Sequence, residues 1–186
     1  PKLLKLMKKK AKSCVKMIKF DIFLDIEDNR WTAAINDIAA VAEDVKSKVL
    51  QQVAEDIDFL NSDKTFYLNL CLSDDENVHK LNLEFRNQDK PTNVLSFANI
   101  DSEDFDDMLE FEQTIELGDI IIAYETMERE AKEQEVSFKN HFCHLWTHGI
   151  LHILGYDHIK DNDREEMEAL EIAILDKLGI ENPYKE

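Results

Sequence analysis

The segment that most constrains the fold of this chain is one where apolar residues leave no side of a helix bare. Phe142, Leu145, Trp146, Ile150, Leu151, Ile153 and Leu154 point in several directions around a helical wheel. That is the pattern of a helix covered nearly all round, not of one lying on a surface. Ser137 is placed to cap its start, and Gly155 to end it, because glycine accepts the left-handed conformation in which helices stop. The rest of the chain must therefore supply elements that enclose residues 137–154. The same helix carries His148 and His152, and His158 follows three residues after Gly155, giving the spacing H-x3-H-x2-G-x2-H.

The surrounding sequence offers those elements. Residues 18–26 read as a strand, and residues 31–60 place Ile35, Ile38, Val41, Ala42, Val45, Val49, Val53 and Ile57 at helical spacing. In 65–72, Phe66, Leu68, Leu70 and Leu72 alternate with other residues, as in a half-buried strand. Ser73 with Glu76 three later forms a capping box that opens a helix through Phe85. Pro91 stops any helix, Val94–Phe97 is a short strand, and the acid-rich span 99–113 is expected to be an exposed, mobile loop. A strand at 117–123, a helix from Tyr124 to Gln134, the enclosed helix and a last helix from Asp163 to Leu178 complete the order βαβαββααα. This predicts an α+β fold, a roughly four-stranded mixed sheet packed with helices, with the histidine motif on a buried helix and the following turn. No internal repeat or boundary is visible, so residues 17–186 are expected to form a single domain.

Charge narrows the function. Residues 1–19 carry eight Lys and no acid; removing these from the 22 basic residues leaves 14 against 40 acidic side chains, a balance of −26 for the remainder. Residues 1–16 are expected to be a disordered basic extension. A body this acidic repels polyphosphate, so any nucleic-acid function needs a local basic spot, a metal or a partner protein. Cys14, Cys71 and Cys143 are far apart and form no C-x-x-C. That argues against a disulfide framework and a thiolate zinc site, and it fits a reducing cytosol. No window approaches the ~20 apolar residues that span a bilayer, so no membrane role is expected.

Chemistry concentrates at the three histidines. His148 and His152, four residues apart, share one helix face and can aim both rings at one point; the Gly155 turn lets His158 fold back as a third ligand. Three neutral imidazoles suit one zinc ion per chain and leave a fourth position open, which is the coordination of a catalytic site. His144 extends the column, but its backbone lies about 12 Å along the axis from that of His152 at ~1.5 Å per residue, too far to share the ion. His144 is therefore read as a supporting residue, His141 and His79 as surface histidines, and Cys143 as core. The spacing equals that of long zinc-peptidase motifs, with Gly149 where those enzymes carry the general-base Glu. Peptide hydrolysis by that route is unsupported.

The run His144-Leu-Trp-Thr-His-Gly-Ile-Leu-His-Ile-Leu-Gly-Tyr-Asp-His158 resembles the metal motif of the YbeY endoribonucleases, also described as rRNA maturation factors. The block Asn82-Leu-Glu-Phe-Arg-Asn-Gln-Asp-Lys-Pro-Thr-Asn-Val-Leu-Ser-Phe97 resembles that family's Arg-containing segment followed by P-T-D-V-L-S-F, and Leu117–Ile122 its G-D-I strand. Asn93 stands where the family usually has Asp, and residues 1–16 have no counterpart. The resemblance implies a cytoplasmic, zinc-dependent endonuclease acting on single-stranded rRNA or its precursor in 16S rRNA 3′-end maturation and ribosome quality control, with the ribosome or ribosomal proteins as partners. His148, His152 and His158 would hold the metal and Arg86 would stabilise the developing phosphorane. Two other classes fit the residues: a zinc hydrolase of another substrate, and a non-catalytic ribosome-assembly factor with a structural metal.

Overall fold

A computed structural model describes residues 18–157 and 161–185. The chain runs β1 (Lys19–Ile26), α1 (Arg30–Ala34), α2 (Ile38–Val53), β2 (Thr65–Ser73), α3 (Asp75–Arg86), β3 (Val94–Ala98), α4 (Phe105–Phe111), β4 (Thr114–Ala123), α5 (Tyr124–Glu133), α6 (Phe138–Ile153) and α7 (Asp161–Lys177). The four strands form one mixed sheet in the order β1-β2-β4-β3. β1, β2 and β4 are parallel to one another, and β3 runs antiparallel on the edge of β4. This is the α+β architecture expected from the sequence. The Lys-rich residues 1–16 and His158 lie outside the described residues. Among the described residues no helix is long and apolar enough to cross a membrane.

The sheet's alternation decides which side becomes the core. Phe66, Leu68, Leu70 and Leu72 of β2 are all buried on one face, while Tyr67, Asn69 and Cys71 alternate onto the other. On β4, Ile115 and Leu117 point to the core and then Ile120 and Ile122 do, a change of phase by one residue. The register shift between Tyr67 and Asn69 on β2 records the bulge responsible. Gly118 makes it possible: its φ is +141°, and a Cβ there would stand 2.0 Å from the carbonyl oxygen of Phe97. Helices α2 and α6 cover the core face, with α6 against α2, α5, α7, β3 and β4.

Ten of the 16 residues of α6 are buried, so the helix is enclosed as its apolar pattern requires. Trp146 is fully buried and its indole N–H donates to the Ala42 carbonyl on α2 at 3.0 Å. Each such large side chain contributes roughly 1.5–3 kcal/mol by leaving water. Gly149 faces the sheet, where a Cβ would lie 3.0 Å from Ile120 side-chain atoms. A larger residue at 149 would require the Ile120 side chain to give way by a few tenths of an ångström.

Several local expectations change. The single helix expected over 31–60 divides into α1, α2 and a 3-10 turn at Asp58–Asn61. Asp37 adopts a left-handed φ of 51° and its carboxylate accepts the Ala40 N–H, so α2 starts afresh there. Asp74, not Ser73, caps α3 by accepting from the Asn77 N–H at 2.8 Å; Ser73 completes β2 and donates to Glu27. β4 begins at Thr114, three residues before the expected start. The acidic span 99–113 is a 3-10 turn followed by α4, not a loop. Phe105 is the reason: it is buried 5.5 Å from the Phe59 ring, and it organises the acids outward around it. Asp106 and Asp107 then occupy the first turn of α4, where negative charge is favoured.

Candidate functional site

Ser137 caps α6 as expected, accepting from the Asn140 N–H at 3.1 Å. From there the helix runs straight to His148 and His152, whose rings stand nearly perpendicular with centroids 4.5 Å apart. Their Nε2 atoms are 3.1 Å from each other. Two nitrogens bound to one tetrahedral zinc at ~2.0–2.1 Å stand roughly 3.3 Å apart, so the pair is already spaced for a shared ion. Both rings are half-buried, reachable from solvent yet held by the helix. The helix ends just beyond them: the Tyr156 N–H returns to the Leu151 carbonyl at 3.0 Å, and Gly155 takes a φ of +93°. The chain therefore leaves the axis within one turn of His152, where the sequence requires it if His158 is to return.

Behind His148 lies a residue the sequence reading missed. Glu171 of α7 is 1% exposed, and its Oε1 accepts from the His148 Nδ1 at 2.7 Å. Its Oε2 accepts from the His144 Nε2 at 3.0 Å and from the Tyr184 hydroxyl. Burial raises the carboxyl, but the hydrogen bonds from His144 and His148 outweigh it and hold it at about 2. Burial, then the Glu171 charge, push the Tyr184 phenol well above its usual range. A signal was present: Met167, Glu171, Ile174 and Leu175 lie on one buried stripe, so Glu171 is an acid where the helix buries apolar groups. His144 thus has its Nε2 turned to Glu171, in keeping with a supporting role.

His141, expected at the surface, is 3% exposed and bonds to Glu130 at 3.0 Å. The correction follows from α5, which packs on α6 and brings Glu130 over that ring. The Asn93 amide donates to the same Glu130 oxygen at 2.9 Å. An ionised Asp could not donate there. Burial raises the Glu130 carboxyl and the bonds from His141 and Asn93 lower it, with a net shift below its usual value. His79 is partly exposed beside Asp89, and Cys143 is core at 2% exposure.

Arg86 ends α3, exposed, with its guanidinium donating to the Ser96 carbonyl of β3 at 3.4 Å. Among the described residues it pairs with no carboxylate, unlike Arg30, which is held by Asp28 and Glu125. Since α6 also packs against β3, the arginine and the histidine helix meet the same edge strand.

A second group of potential ligands lies on the sheet's other face. One donor atom each of Asp25, Glu27 and Cys71 fall within 4.8 Å of one another, so they are close enough to hold an ion. Burial and the Glu27 and Asp25 charges push the Cys71 thiol up to about 12, so it stays protonated.

Comparison with known proteins gives a consistent result. The family described as Endoribonuclease YbeY matches residues 26–179. A protein of Paramagnetospirillum magneticum named Endoribonuclease YbeY is 41% identical over 169 residues, covering 91% of this chain and 98% of its own length. The protein of that name from Agrobacterium fabrum is 41% identical over 175 residues, covering 90% and 96%. For that of Sinorhizobium fredii, 49% identity extends over 123 residues, and the chain spans 65% of that relative's length. The solution structure of TM1509 from Thermotoga maritima shares the fold, with a TM-score of 0.51 over 89% of this chain and 100% of that one at 21% identity.

Proposed function

Because this chain belongs to the YbeY family of endoribonucleases, we propose that it hydrolyses RNA phosphodiester bonds with one zinc ion per chain, held by His148, His152 and His158. Its substrate is single-stranded rRNA or an rRNA precursor, its process 16S rRNA 3′-end maturation and ribosome quality control, its location the cytoplasm, and its partners the ribosome or ribosomal proteins. The observation that carries the metal reading is the 3.1 Å separation of the His148 and His152 Nε2 atoms toward the end of an enclosed helix. Zinc bound there supplies Lewis acidity toward a phosphoryl oxygen and lowers the pKa of water toward neutrality.

The chain's own residues do the rest. α6 and its packing fix two ligands before any ion arrives, which lowers the ordering cost of binding. Arg86 offers a guanidinium not spent on a carboxylate, suited to two-point contact with a phosphate as charge develops on it. In a body with a −26 balance outside its first 19 residues, such local positive charge is what an RNA backbone can approach. The same acidity favours delivery of RNA by a basic partner, which is why ribosomal proteins belong in the proposal.

The test is direct. Zinc-loaded protein is incubated with an rRNA precursor and, separately, with a denatured protein substrate. Cuts confined to single-stranded RNA are expected; cuts in the protein substrate, or none in RNA, would refute the reading.

A further inference from the structure

We infer that Glu171 is a positioning residue for the metal centre: its buried carboxylate accepts the hydrogen bond of the His148 Nδ1–H and so leaves the lone pair on that ring's Nε2, facing His152. The inference rests on the metal reading above. A carboxylate only accepts, so the His148 nitrogen 2.7 Å from Glu171 must be the donor. A neutral imidazole that donates from Nδ1 has its lone pair on Nε2, the atom 3.1 Å from the Nε2 of His152. Free histidine in water prefers the opposite tautomer, so the ring needs an acceptor at this place to be ready for an ion.

Two further observations separate this role from packing. First, Met167, Ile174 and Leu175 share the buried stripe with Glu171, and an apolar residue would complete it without the cost of desolvating a charge. Second, both oxygens are committed. Oε2 holds the His144 Nε2 at 3.0 Å and the Tyr184 hydroxyl, so one carboxylate links α7 and the C-terminal segment to two successive turns of α6. That arrangement restrains the carboxylate, which in turn restrains the ligand ring. An anionic acceptor on the far nitrogen also makes the metal-binding nitrogen more basic.

The test uses the full chain and zinc alone, with affinity read by competition against a chromophoric chelator. Glu171→Gln is expected to bind zinc about 10–100-fold more weakly, and the metal-free variant to remain folded but melt at a lower temperature, because a buried acceptor of three hydrogen bonds is lost. Nitrogen NMR of metal-free wild-type protein above the histidine titration range should show the His148 proton on Nδ1, and Glu171→Gln should relax that preference. Equal zinc affinity in the two proteins overturns the inference. So does a wild-type His148 protonated on Nε2, a measurement that needs no substitution and decides the matter even if Glu171→Gln does not fold. Wild-type protein that takes up no zinc at all overturns the underlying metal reading, and this inference with it; the chelator titration tells that result apart from the other two.

Discussion

The two faces of the sheet each gather potential metal ligands, and they do so in opposite ways. On the α6 side, His148 and His152 sit on an enclosed helix with a buried carboxylate bonded to one of the rings. On the opposite side, where α3 packs, Asp25, Glu27 and Cys71 lie within 4.8 Å of one another, yet Asp25 and Glu27 themselves help keep the thiol protonated. Proximity is common to both. What differs is the anchoring: the first group stands on an enclosed helix with one ring hydrogen-bonded to a buried carboxylate, and the second includes a thiol that burial and the neighbouring carboxylates keep protonated. A site is made by the supporting shell as much as by the ligands.

The comparison can be broken outright. His152→Ala should reduce zinc from one per chain to almost none and abolish RNA cleavage; elemental analysis after dialysis checks it, and full zinc content in the variant would show that the ion lies elsewhere. A narrower break separates binding from chemistry. Arg86→Glu should abolish cleavage by reversing the charge at the end of α3, while zinc content and melting temperature stay as in the wild type. Full activity of that variant would remove Arg86 from the reaction.

Smaller effects sharpen the contrast. Glu130 repeats the histidine–carboxylate arrangement away from the ligand pair, with His141 at 3.0 Å and Asn93 at 2.9 Å. Its carboxyl lies below the ordinary 4.5 when folded. A depressed value contributes stability above the unfolded pKa and loses it as pH falls through the folded one. Glu130→Gln should therefore cost about 1 kcal/mol at pH 7 in urea denaturation, and the gap to wild type should narrow as pH falls below the ordinary 4.5 and through the lowered folded value. A gap unchanged at low pH would mean the bond carries no charge-dependent stability. The smallest effect belongs to the opposite face: combined Asp25→Asn, Glu27→Gln and Cys71→Ser should leave zinc stoichiometry unchanged, and a lost equivalent would promote that cluster to a metal site.

How much of this was readable beforehand depended on how local the cause was. The enclosed α6, its Ser137 cap and the Gly155 stop follow from neighbouring residues, and so does the one-face pairing of His148 with His152. The break at Asn36–Asp37 and the helix around Phe105 were not read, because apolar spacing continues across the first and acidic residues surround the second; tertiary burial of Phe105 decides it. Glu171 stands 23 residues from His148. Only the packing of α7 on α6 brings them together, and the sole trace in sequence is an acid on an apolar stripe. His141 escaped for the same reason, since Glu130 reaches it from α5. The bulge at Gly118, which sets Ile120 against Gly149, has no local pattern beyond the glycine itself.

The most direct measurement is anomalous diffraction at the zinc edge from crystals of the zinc-loaded protein. One peak is expected, within bonding distance of the Nε2 atoms of both His148 and His152, with none between Asp25, Glu27 and Cys71. A peak on the opposite face of the sheet, or no peak at the histidine pair, would contradict the assignment of the metal centre to α6.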